Sequence, residues 1–555
     1  MEEYDYVIVG AGTAGCVLAN RLTEDGKTSV LLIEAGGSDL SIWIQMPIGY
    51  GRTFFDRRIN WMYDTEPVEA LGGRRSYWPR GKVVGGSGSI NAMVYVRGQP
   101  HDFEDWQAQG NPGWGWDDVL PFFKKSEDFD WHSAYHGRGG PQHVTDISPH
   151  AHPICHSFIE SAESLGFAPT SDFNGSQPDG VGLYQINTRG GWRASTANAF
   201  LHPALKRKTL KLETKALVSR VLFEGRRATG VEYARRGTTH QVKARREVIL
   251  SGGAINSPQL LMLSGIGDPA HLKAMGIEPL IAARAVGRNL QDHLAVSYFY
   301  KARTATLNDV LYPALGKALA GLRYLFDRAG PLSMSVNQSG GFVRSDPAQP
   351  HVDLQLYFSP VSYTKTPLSA RKLLNPDPFS AFLLSHNPCR PTSRGHIALT
   401  SPDPAVHPSI QPNYLSTRHD IDTVLAGNRL LRQIASARPL ADIIAEEIVP
   451  GPAVDGDEAL LDDFRQRADT VYHPTSTCVM GSNAADCVVD HRLRVHGVSG
   501  LRVIDASIFP NITSGNTNAP TVMVAEKGAE MIIEDARQIA RTKQVNFFYQ
   551  LLERW

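Results

Sequence analysis

A strand, a glycine turn and a helix follow one another at the start of the chain, and no other feature restricts the fold as strongly. Tyr6–Val9 is a short apolar run, and Cys16–Leu22 has helical periodicity. Between them, Gly10 permits a tight turn, Gly12 lets the backbone approach a pyrophosphate, and Gly15 lets helix and strand pack closely. The unit predicts an α/β fold that opens with a dinucleotide-binding motif.

An acidic residue ends the second strand of this unit. Val30–Ile33 is apolar, and Glu34 follows it, nineteen residues after Gly15. At that place a carboxylate accepts hydrogen bonds from the adenosine ribose hydroxyls, and no arginine stands beside it to receive a 2′-phosphate. The motif alone leaves FAD and NAD both open.

Two further glycine-bearing stretches have the composition of turns. Arg80–Asn91 holds too many residues without side chains to form the interior of a strand or helix, so we expect it to present backbone donors. Glu247–Leu250 is another predicted strand, and the stretch Gly253–Gly267 after it predicts a turn and a helix.

Composition limits the class of ligand. The chain has 555 residues, of which 42% are hydrophobic, so a large core is expected. Lys and Arg total 56, as do Asp and Glu, and the net charge is zero. A neutral chain gives no electrostatic basis for general binding to nucleic acid or to anionic membranes. We therefore expect a small-molecule ligand and no nucleic-acid partner.

Cysteine usage and the N-terminus predict a cytoplasmic protein. The five cysteines include no C-x-x-C pair and no spacing suited to zinc, so we expect them to be reduced and mostly buried. The first residues lack the basic and apolar regions of a secretory signal, and no apolar stretch reaches the roughly twenty residues of a membrane-spanning helix. Peripheral contact with the cytoplasmic face of a membrane stays open.

Several stretches together resemble the glucose-methanol-choline (GMC) family of flavin oxidoreductases. Arg80–Asn91 and Gly253–Gly267 match the two characteristic patterns of that family position by position. Further matches are Gly287–His293, Tyr472-His473-Pro474 and Gly515–Pro520. The resemblance implies an α/β fold, α+β overall, in which a Rossmann-like FAD-binding domain adjoins a substrate domain built on an antiparallel sheet.

The resemblance implies FAD rather than NAD, and it assigns a set of residues to the cofactor. These are Gly10, Gly12, Thr13, Ala14, Gly15, Glu34, Ala35, Val83, Gly85, Gly86, Ser87, Asn91, Ala92, Met93, Val94, Val218, Tyr472, Asp505, Ala506 and Asn518. In some members a histidine just before the Asn91 equivalent is covalently bonded to the flavin. Ile90 stands there in this chain, so we predict that FAD is bound non-covalently.

Two polar residues near the C-terminus are the predicted catalytic pair. Oxidising an alcohol removes a proton from oxygen and a hydride from carbon, and a flavin takes only the hydride. His473 is the candidate base, because an imidazole exchanges a proton near neutrality, and Pro474 keeps its backbone extended. Asn516 matches the family position that hydrogen-bonds the substrate oxygen. The alternatives are a core histidine and a turn asparagine.

The alternation of patterns divides the chain into two interleaved domains. We assign residues 1–155, 212–310 and 466–540 to the FAD-binding domain, residues 156–211 and 311–465 to the substrate domain, and residues 541–555 to a C-terminal tail. Val352–Tyr357 and His396–Thr400 alternate in polarity and predict antiparallel strands with one side in solvent.

The predicted substrate is a neutral primary alcohol or polyol. A quaternary ammonium group needs aromatic faces and usually a carboxylate. In choline-directed relatives a glutamate lies two residues before a Gly-Gly-Phe, and Gln338 has that place here. Choline dehydrogenase and alcohol oxidase remain alternatives, as do the lyases and the photodecarboxylase of the same fold. The electron acceptor is a quinone, a dye-like acceptor or oxygen.

Two other features receive structural interpretations. Six histidines crowd a stretch rich in glycine, namely His132, His136, His143, His150, His152 and His156. Their spacing is irregular, so we predict a solvent-exposed loop and no metal site. The aromatic tail Val545–Trp555 fits either a docking helix for a partner or membrane surface, or a segment that packs on its own domain, which is our expectation.

Overall fold

The structure is a computed structural model that describes residues 1–131, 133–363 and 375–552, with side chains as far as Thr542. Its strands, in chain order, are β1 (Glu3–Val9), β2 (Val30–Ile33), β3 (Tyr63–Asp64), β4 (Tyr77–Trp78), β5 (Glu127–Phe129), β6 (Gln142–Val144), β7 (Gly180–Leu183), β8 (Thr188–Arg189), β9 (Trp192–Arg193), β10 (Leu210–Glu213), β11 (Ala216–Glu224), β12 (Arg227–Arg235), β13 (Thr238–Leu250), β14 (Ile266–Gly267), β15 (Ile281–Ala282), β16 (Arg288–Leu290), β17 (Leu294–Ala302), β18 (Ser339–Val343), β19 (Leu354–Ser359), β20 (Ala381–Pro388), β21 (Gly395–Ala398), β22 (Ser409–Gln411), β23 (Ile444–Val449), β24 (Asp469–Thr470) and β25 (Leu501–Val503).

The helices are α1 (Thr13–Leu22), α2 (Ile42–Gln45), α3 (Tyr50–Thr53), α4 (Pro100–Ala108), α5 (Trp116–Ser126), α6 (Ile154–Ser164), α7 (His202–Ala204), α8 (Gly253–Leu263), α9 (Pro269–Ala274), α10 (Leu307–Leu311), α11 (Ala314–Asp327), α12 (Arg418–Ser436), α13 (Leu440–Ile443), α14 (Asp457–Arg467) and α15 (Asn518–Leu552). Short 3-10 turns lie at Pro47–Gly49, Glu69–Leu71, Gly86–Ser89, Pro331–Ser333 and Ala506–Ile508, and a π turn at Ala197–Leu201.

The first large sheet carries the predicted dinucleotide motif. Its strand order is β10-β2-β1-β13-β12-β11, with β25 paired to β13. The pairs β10–β2, β2–β1, β1–β13 and β13–β25 are parallel, whereas β11, β12 and β13 pair antiparallel. Strand β2 is entirely buried, as expected for a parallel strand covered on both faces. The predicted α/β fold is confirmed, with β1, α1 and β2 where the sequence placed them.

The second large sheet is antiparallel, in the order β23-β17-β20-β19-β18-β7, with β24 paired to β17. Helices α6 and α12 pack against it. The predicted strand around Val352–Tyr357 is present as β19, but the expected solvent-facing side is wrong, because every residue of β19 is buried. The predicted strand at His396 is present as β21, which lies in a separate sheet with β16 and β22.

Strand membership differs from the proposed domain boundaries at three places. The sequence assigns residues 212–310 and 466–540 to the FAD-binding domain and residues 156–211 to the substrate domain. Leu294–Ala302 and Asp469–Thr470 pair in the antiparallel sheet, whereas Leu210–Lys211 pair with β2 in the first sheet. The division into two domains stays a prediction.

The histidine-rich stretch is in part a buried network. The expectation of a solvent-exposed loop is wrong for His136, which is only 6% exposed. Its Nε2 lies 2.8 Å from a carboxylate oxygen of Asp172, and its Nδ1 lies 3.1 Å from Glu127, which also pairs with the buried Arg97. His132 lies outside the described residues. Among the residues described, no cluster of three or more His, Cys, Asp or Glu side chains has the arrangement of a metal site.

Two further expectations concern the cysteines and the membrane. None of the five cysteines forms a disulfide, and four of them are buried. Along the chain as far as it is described, no helix combines the length and apolar character needed to cross a bilayer.

The aromatic tail belongs to the end of α15 up to Leu552, and the packing expected for it concerns side chains outside the described ones.

Candidate active site

A cavity of about 410 Å³ lies where the two large sheets meet. At the ends of β1, β2 and β13 it is lined by Val9, Ile33 and Leu250. On the side of the antiparallel sheet it is lined by Ala295 of β17 and Tyr357 of β19. Ligands of open α/β sheets bind at the carboxyl ends of the parallel strands, and the cavity occupies that place.

The turn after β1 has close contacts that only glycine allows. Gly10 has a φ of +99°, and a Cβ atom there would lie 2.5 Å from the carbonyl oxygen of Ser251. A Cβ atom on Gly15 would lie 1.9 Å from the carbonyl oxygen of Gly10. Gly12 caps α1 and lines the cavity with bare backbone. The tight turn predicted at Gly10 and the close packing predicted at Gly15 are present, and the pyrophosphate contact of Gly12 stays a prediction.

The second glycine loop packs directly on this turn. Gly86 has a φ of +55°, and a Cβ atom on it would lie 2.7 Å from the Cα atom of Gly12. The amide of Gly85 donates a 2.7 Å hydrogen bond to the carbonyl of Ala11. Two loops more than seventy residues apart in sequence thus form one continuous surface of backbone along the cavity.

The C-terminal helix begins at the same cavity. Thr13 on α1 donates a 2.9 Å hydrogen bond from Oγ1 to the side-chain oxygen of Asn518, the first residue of α15. Thr517, Asn518 and Thr521 line the cavity. The N-termini of α1 and α15 therefore both open on it, and their dipoles favour bound negative charge.

Glu34 lines the cavity at the end of β2. Its two carboxylate oxygens accept hydrogen bonds from the amides of Ala11 (2.9 Å) and Gly36 (2.8 Å). Burial raises the pKa of Glu34 to about 7, while the two backbone donors act in the opposite direction. The carboxylate is thus fixed beside the glycine turn, where the sequence expects an acceptor for ribose hydroxyls.

Most residues predicted to contact the cofactor line the cavity: Gly10, Gly12, Thr13, Ala14, Glu34, Ala35, Gly86, Ser87, Asn91, Ala92, Met93, Val94, Val218, Tyr472, Asp505, Ala506 and Asn518. Gly15 and Gly85 lie behind the wall and support the two loops. Val83 is fully buried in a small apolar cluster with Ile44 and Ile90. Val83 supports the loop from within this cluster, and its predicted contact with the cofactor stays a prediction.

His473 and Asn516 meet on the cavity wall. The side-chain nitrogen Nδ2 of Asn516 lies 3.2 Å from Nε2 of His473, and both residues line the cavity. The backbone amide of His473 donates a 2.8 Å hydrogen bond to Asp292 Oδ1. Tyr472, just before it, has a φ of +69°, a region that non-glycine residues rarely adopt. The structure thus brings the predicted catalytic pair together.

A chain of hydrogen bonds fixes which nitrogen of His473 carries a proton. Nε2 of His293 lies 2.8 Å from the carbonyl oxygen of Cys389, which only accepts, so this nitrogen carries the proton of His293. Nδ1 of the neutral His293 is then an acceptor, and it lies 3.0 Å from Nδ1 of His473. His473 therefore donates from Nδ1, which leaves Nε2 with a lone pair facing Asn516 and the cavity.

Burial keeps both imidazoles neutral. It lowers the pKa of His293 to about 4. It also lowers the pKa of His473 well below its usual value, with further contributions from His293 and from the guanidinium of Arg80. His473 is therefore unprotonated near neutral pH and can accept a proton.

Asn516 is oriented by the antiparallel sheet. Its side-chain oxygen accepts a 3.3 Å hydrogen bond from Nε2 of Gln355 on β19, so its Nδ2 group points toward His473. Tyr357, two residues further along the same strand, faces Asn516 in the cavity. Burial raises the pKa of Tyr357 well above its usual value, so the phenol stays neutral. The cavity wall thus presents two hydrogen-bond donors, Asn516 Nδ2 and the Tyr357 hydroxyl, beside one proton acceptor, His473 Nε2.

Comparison with known proteins assigns the fold and site to one family. Two family models described as GMC oxidoreductase match residues 4–295 and 391–525. This chain belongs to the GMC oxidoreductase family. It is 45% identical over 545 residues to the mitochondrial choline dehydrogenase of Homo sapiens, covering 96% of this chain and 90% of that protein. It is 43% identical to alcohol dehydrogenase (acceptor) of Pseudomonas putida, covering 99% of each chain.

Comparison with solved structures supports the same family. The crystal structure of pyridoxine 4-oxidase from Mesorbium loti superposes with a TM-score of 0.86 at 32% sequence identity, covering 95% of this chain and 98% of that one. As a GMC oxidoreductase, the protein is an FAD-dependent enzyme that oxidises CH–OH donors.

The residues present fit FAD. The bare backbone where Gly12 meets Gly86 leaves room for a pyrophosphate, and the N-termini of α1 and α15 supply favourable dipoles. Glu34 offers a carboxylate that can accept hydrogen bonds from ribose hydroxyls, and Val218 of β11 also lines the cavity. Ile90 lines the wall where some relatives have a histidine, and its side chain has no atom that could form the covalent link.

The side chains of His473 and Asn516 can carry out the proton transfer of an alcohol oxidation, whereas the hydride transfer needs the cofactor. FAD, when bound, accepts the hydride from the carbinol carbon. The amide Nδ2 of Asn516 can donate a hydrogen bond to the substrate oxygen, and Nε2 of His473 can take its proton. His293 holds His473 in the tautomer that this transfer needs.

Several residues of the site were not identified from the sequence. His293 and Asp292 lay within a quoted family motif, but no role was assigned to either. Gln355 and Tyr357 lay on a strand recognised only by its alternation. Arg80, whose Nη2 donates a 2.5 Å hydrogen bond to the carbonyl oxygen of Tyr472, was noted only as the start of a glycine loop. A polar residue inside an apolar strand, such as Gln355, was the available signal.

Proposed function

We propose that the protein oxidises a neutral primary alcohol or polyol to the aldehyde or ketone, with His473 as general base and Asn516 as the ligand of the substrate oxygen. The observation that carries this proposal is the 3.2 Å contact between Asn516 Nδ2 and His473 Nε2 on the wall of the FAD cavity. The lone pair on Nε2 and the donor on Nδ2 match the two hydrogen-bonding roles of a hydroxyl group.

The cavity wall beside this pair is mostly uncharged, which supports a neutral substrate. The antiparallel sheet and the segment before β18 contribute Ala295, Ser297, Val336, Asn337, Tyr357, Ser385, Asp469 and Thr470 to the cavity. Asp469 is the one residue of this set with a charged side chain, and its Oδ1 atom accepts a 2.6 Å hydrogen bond from the hydroxyl of Ser76. The hydroxyls of Ser297 and Ser385 lie 2.8 Å apart, and the side chain of Asn337 accepts from Ser359. A quaternary ammonium group would find a single carboxylate on this face, and that carboxylate already has a hydrogen-bond partner.

Gln338 points away from the cavity, contrary to its expected role beside the substrate. Its side-chain oxygen accepts a 2.7 Å hydrogen bond from the amide of His152, and Gln338 does not line the cavity. Its neighbours Val336 and Asn337 line the cavity instead. The identity of residue 338 therefore carries no weight in the choice of substrate, which rests on the mostly uncharged residues of the cavity wall.

Choline is the second candidate, since it is what the human relative is named for. Four aromatic rings at the reactive end of the cavity favour it, namely Tyr50, Phe54, Tyr357 and Tyr472. Aromatic faces bind a quaternary ammonium group best with a carboxylate nearby, and Asp469, the carboxylate that the antiparallel sheet contributes to the cavity, is already hydrogen-bonded by Ser76. We therefore rank choline below neutral alcohols.

The experiment mixes the purified FAD enzyme, without oxygen, with a panel of aliphatic alcohols, polyols and choline, and follows the loss of visible flavin absorbance. We expect neutral alcohols to bleach the flavin with higher second-order rate constants than choline. Fastest bleaching by choline would replace our substrate with the second candidate. No bleaching by any alcohol would contradict the proposal and favour a lyase or photodecarboxylase.

The destination of the electrons is tested with the same preparation. We propose an external acceptor, either a quinone or oxygen, with a dye as its laboratory substitute. Turnover in air, and then without oxygen but with a soluble quinone or a dye, distinguishes an oxidase from a dehydrogenase. The five unpaired cysteines suit a reducing compartment, so we also propose a cytoplasmic location.

A further inference from the structure

Asn516 lies outside regular secondary structure. Residues 509–517, here called the Asn516 segment, connect the 3-10 turn at Ala506–Ile508 to α15, and none of them belongs to a helix or a strand. An error of about 1 Å in the place of a catalytic group can cost about 10²-fold in rate, and a segment of this kind holds its groups less precisely than a helix or strand. Contacts with other elements must therefore hold Asn516 in place.

Helix α4 supports the Asn516 segment through two side chains of one face. Asp102 and Trp106 are four residues apart on α4, so they lie one turn above the other. Trp106 donates a 2.9 Å hydrogen bond from Nε1 to the carbonyl oxygen of Asn511, and its ring centre lies 4.8 Å from that of Phe509. Asp102 meets the segment further along, at Ser514. Most of the segment before Asn516 therefore follows one helix.

Both oxygens of the Asp102 carboxylate bind Ser514. Oδ2 accepts a 2.7 Å hydrogen bond from the backbone amide of Ser514, and Oδ1 accepts a 2.9 Å hydrogen bond from its hydroxyl. Asp102 is only 2% exposed, so water has little access to these bonds. Hydrogen bonds to a carboxylate are among the stronger ones in proteins, and two of them to one residue restrict both its place and its rotation.

Gly515, which joins Ser514 to Asn516, is tightly packed. It has a φ of +103°, and a Cβ atom there would lie 2.9 Å from both Phe342 Cζ and Val96 Cγ1. A displacement of Ser514 therefore passes on to Asn516, because the residue between them has little space in which to absorb it. The carboxylate of Asp102 thus controls where the backbone of Asn516 lies.

Asp102 also caps α4. Its Oδ2 atom accepts a 2.8 Å hydrogen bond from the amide of Gln99, which precedes the helix. This bond attaches the carboxylate to the start of α4. A cap needs one acceptor, so the two bonds to Ser514 are additional to it.

We propose that Asp102 is a positioning residue that holds Asn516 at the place where its Nδ2 group meets the substrate oxygen. Asp102 acts through Ser514 and Gly515. Without the carboxylate the Asn516 segment shifts, whereas His473 keeps its place because Asp292 and His293 hold it. The inference rests on the proposed role of Asn516 as the ligand of the substrate oxygen.

The test is a double-mutant cycle on the rate constant of flavin reduction at saturating alcohol, measured without oxygen. Asp102→Ala should keep its FAD and reduce it at least about tenfold more slowly than the wild type. Asn516→Ala should also be slow, and adding Asp102→Ala to it should change the rate constant by less than about twofold, because the positioned group is then absent. Asp102→Asn keeps the shape and an acceptor for the Ser514 amide, so it should recover part of the rate constant.

Two further variants separate positioning from folding. Ser514→Ala removes one of the two bonds to Asp102 and leaves the cap of α4 intact, so we expect a loss of about threefold in the rate constant. Asp309→Ala is the matched control, because Asp309 accepts from the amide of Thr306 in the corresponding cap of α10. It should lose thermal stability and keep the wild-type rate constant. If Asp102→Ala does not fold, Ser514→Ala and Asn516→Ala form the same cycle.

The outcomes distinguish this inference from the proposed function. Wild-type rate constants in Asp102→Ala and Ser514→Ala, with a slow Asn516→Ala, would overturn the inference alone. An equal loss from Asp102→Ala with and without Asn516 would also overturn it, since general damage has that result. A wild-type rate constant in Asn516→Ala would reject the proposed role of Asn516, and the inference with it.

Discussion

The Nδ1 atoms of His293 and His473 lie 3.0 Å apart, and both imidazoles are buried. One of the two nitrogens must donate and the other accept. The carbonyl oxygen of Cys389 decides the direction, because it takes the proton on Nε2 of His293. The proposed base is therefore held in one tautomer by a residue that does not line the cavity.

Replacing His293 should impair catalysis without removing the cofactor. His293→Leu deletes the acceptor for His473 Nδ1, so the imidazole can present the wrong nitrogen, and we expect kcat to fall by about tenfold or more. His293→Asn keeps an acceptor near the same place and should recover part of that loss. The measurement is kcat, KM and FAD content for both variants. Equal losses for Leu and Asn would indicate a packing role instead.

The charge on Arg80 should set the pH range of activity. Burial, His293 and Arg80 lower the pKa of His473, so the base remains unprotonated at neutral pH, and the acid limb of kcat/KM should lie below pH 6.5. Arg80→Gln removes a positive charge, which raises that pKa and should move the limb to higher pH. Arg57→Gln, which removes the same charge from an exposed arginine, is the control. An unmoved limb in Arg80→Gln would contradict this cause.

The contact between the two glycine loops should control the affinity for FAD. Gly86→Ala places a methyl group 2.7 Å from Gly12 at a φ of +55°, so we expect the dissociation constant for FAD to rise at least about tenfold. Gly26→Ala has a comparable φ of +65° but no atom within 4 Å of the new methyl group. It should keep the cofactor and lose only about 1–2 kcal/mol of stability. Similar FAD loss in both variants would show that backbone strain alone is responsible.

We expect denaturation to release FAD from the protein as the free, unmodified cofactor. Ile90 lines the cavity where some relatives have a flavin-bonded histidine, and its aliphatic side chain cannot form that bond. Precipitation with acid should therefore leave a yellow supernatant and a colourless pellet. A yellow pellet after washing would reveal a covalent link through another residue.

The parts of the site that the sequence could predict are those fixed by local geometry. Gly10, Gly12 and Gly15 act within one turn and helix, and Glu34 follows at the end of the next strand. Their spacing specifies a shape before any tertiary contact forms. His473 and Asn516 could be placed by family resemblance because each lies in a compact motif.

What the sequence could not predict depends on distant partners. His293 meets His473 across 180 residues, and Gln355 meets Asn516 across 161. The residue pattern of Leu294–Ala302 fits a strand of either large sheet. Nothing within the segment therefore assigns it to the antiparallel sheet, where the structure places it. The direction of Gln338 likewise depends on the register of its segment, since a shift of one residue exchanges the two faces.

The most direct test of the central claim is the rate of flavin reduction by the best alcohol, measured without oxygen in a stopped-flow instrument. His473→Ala should keep its FAD and reduce it at least about 10²-fold more slowly than the wild type, the usual contribution of a general base. His150→Ala, which changes an exposed histidine, should match the wild type. Reduction of His473→Ala at the wild-type rate would contradict the account.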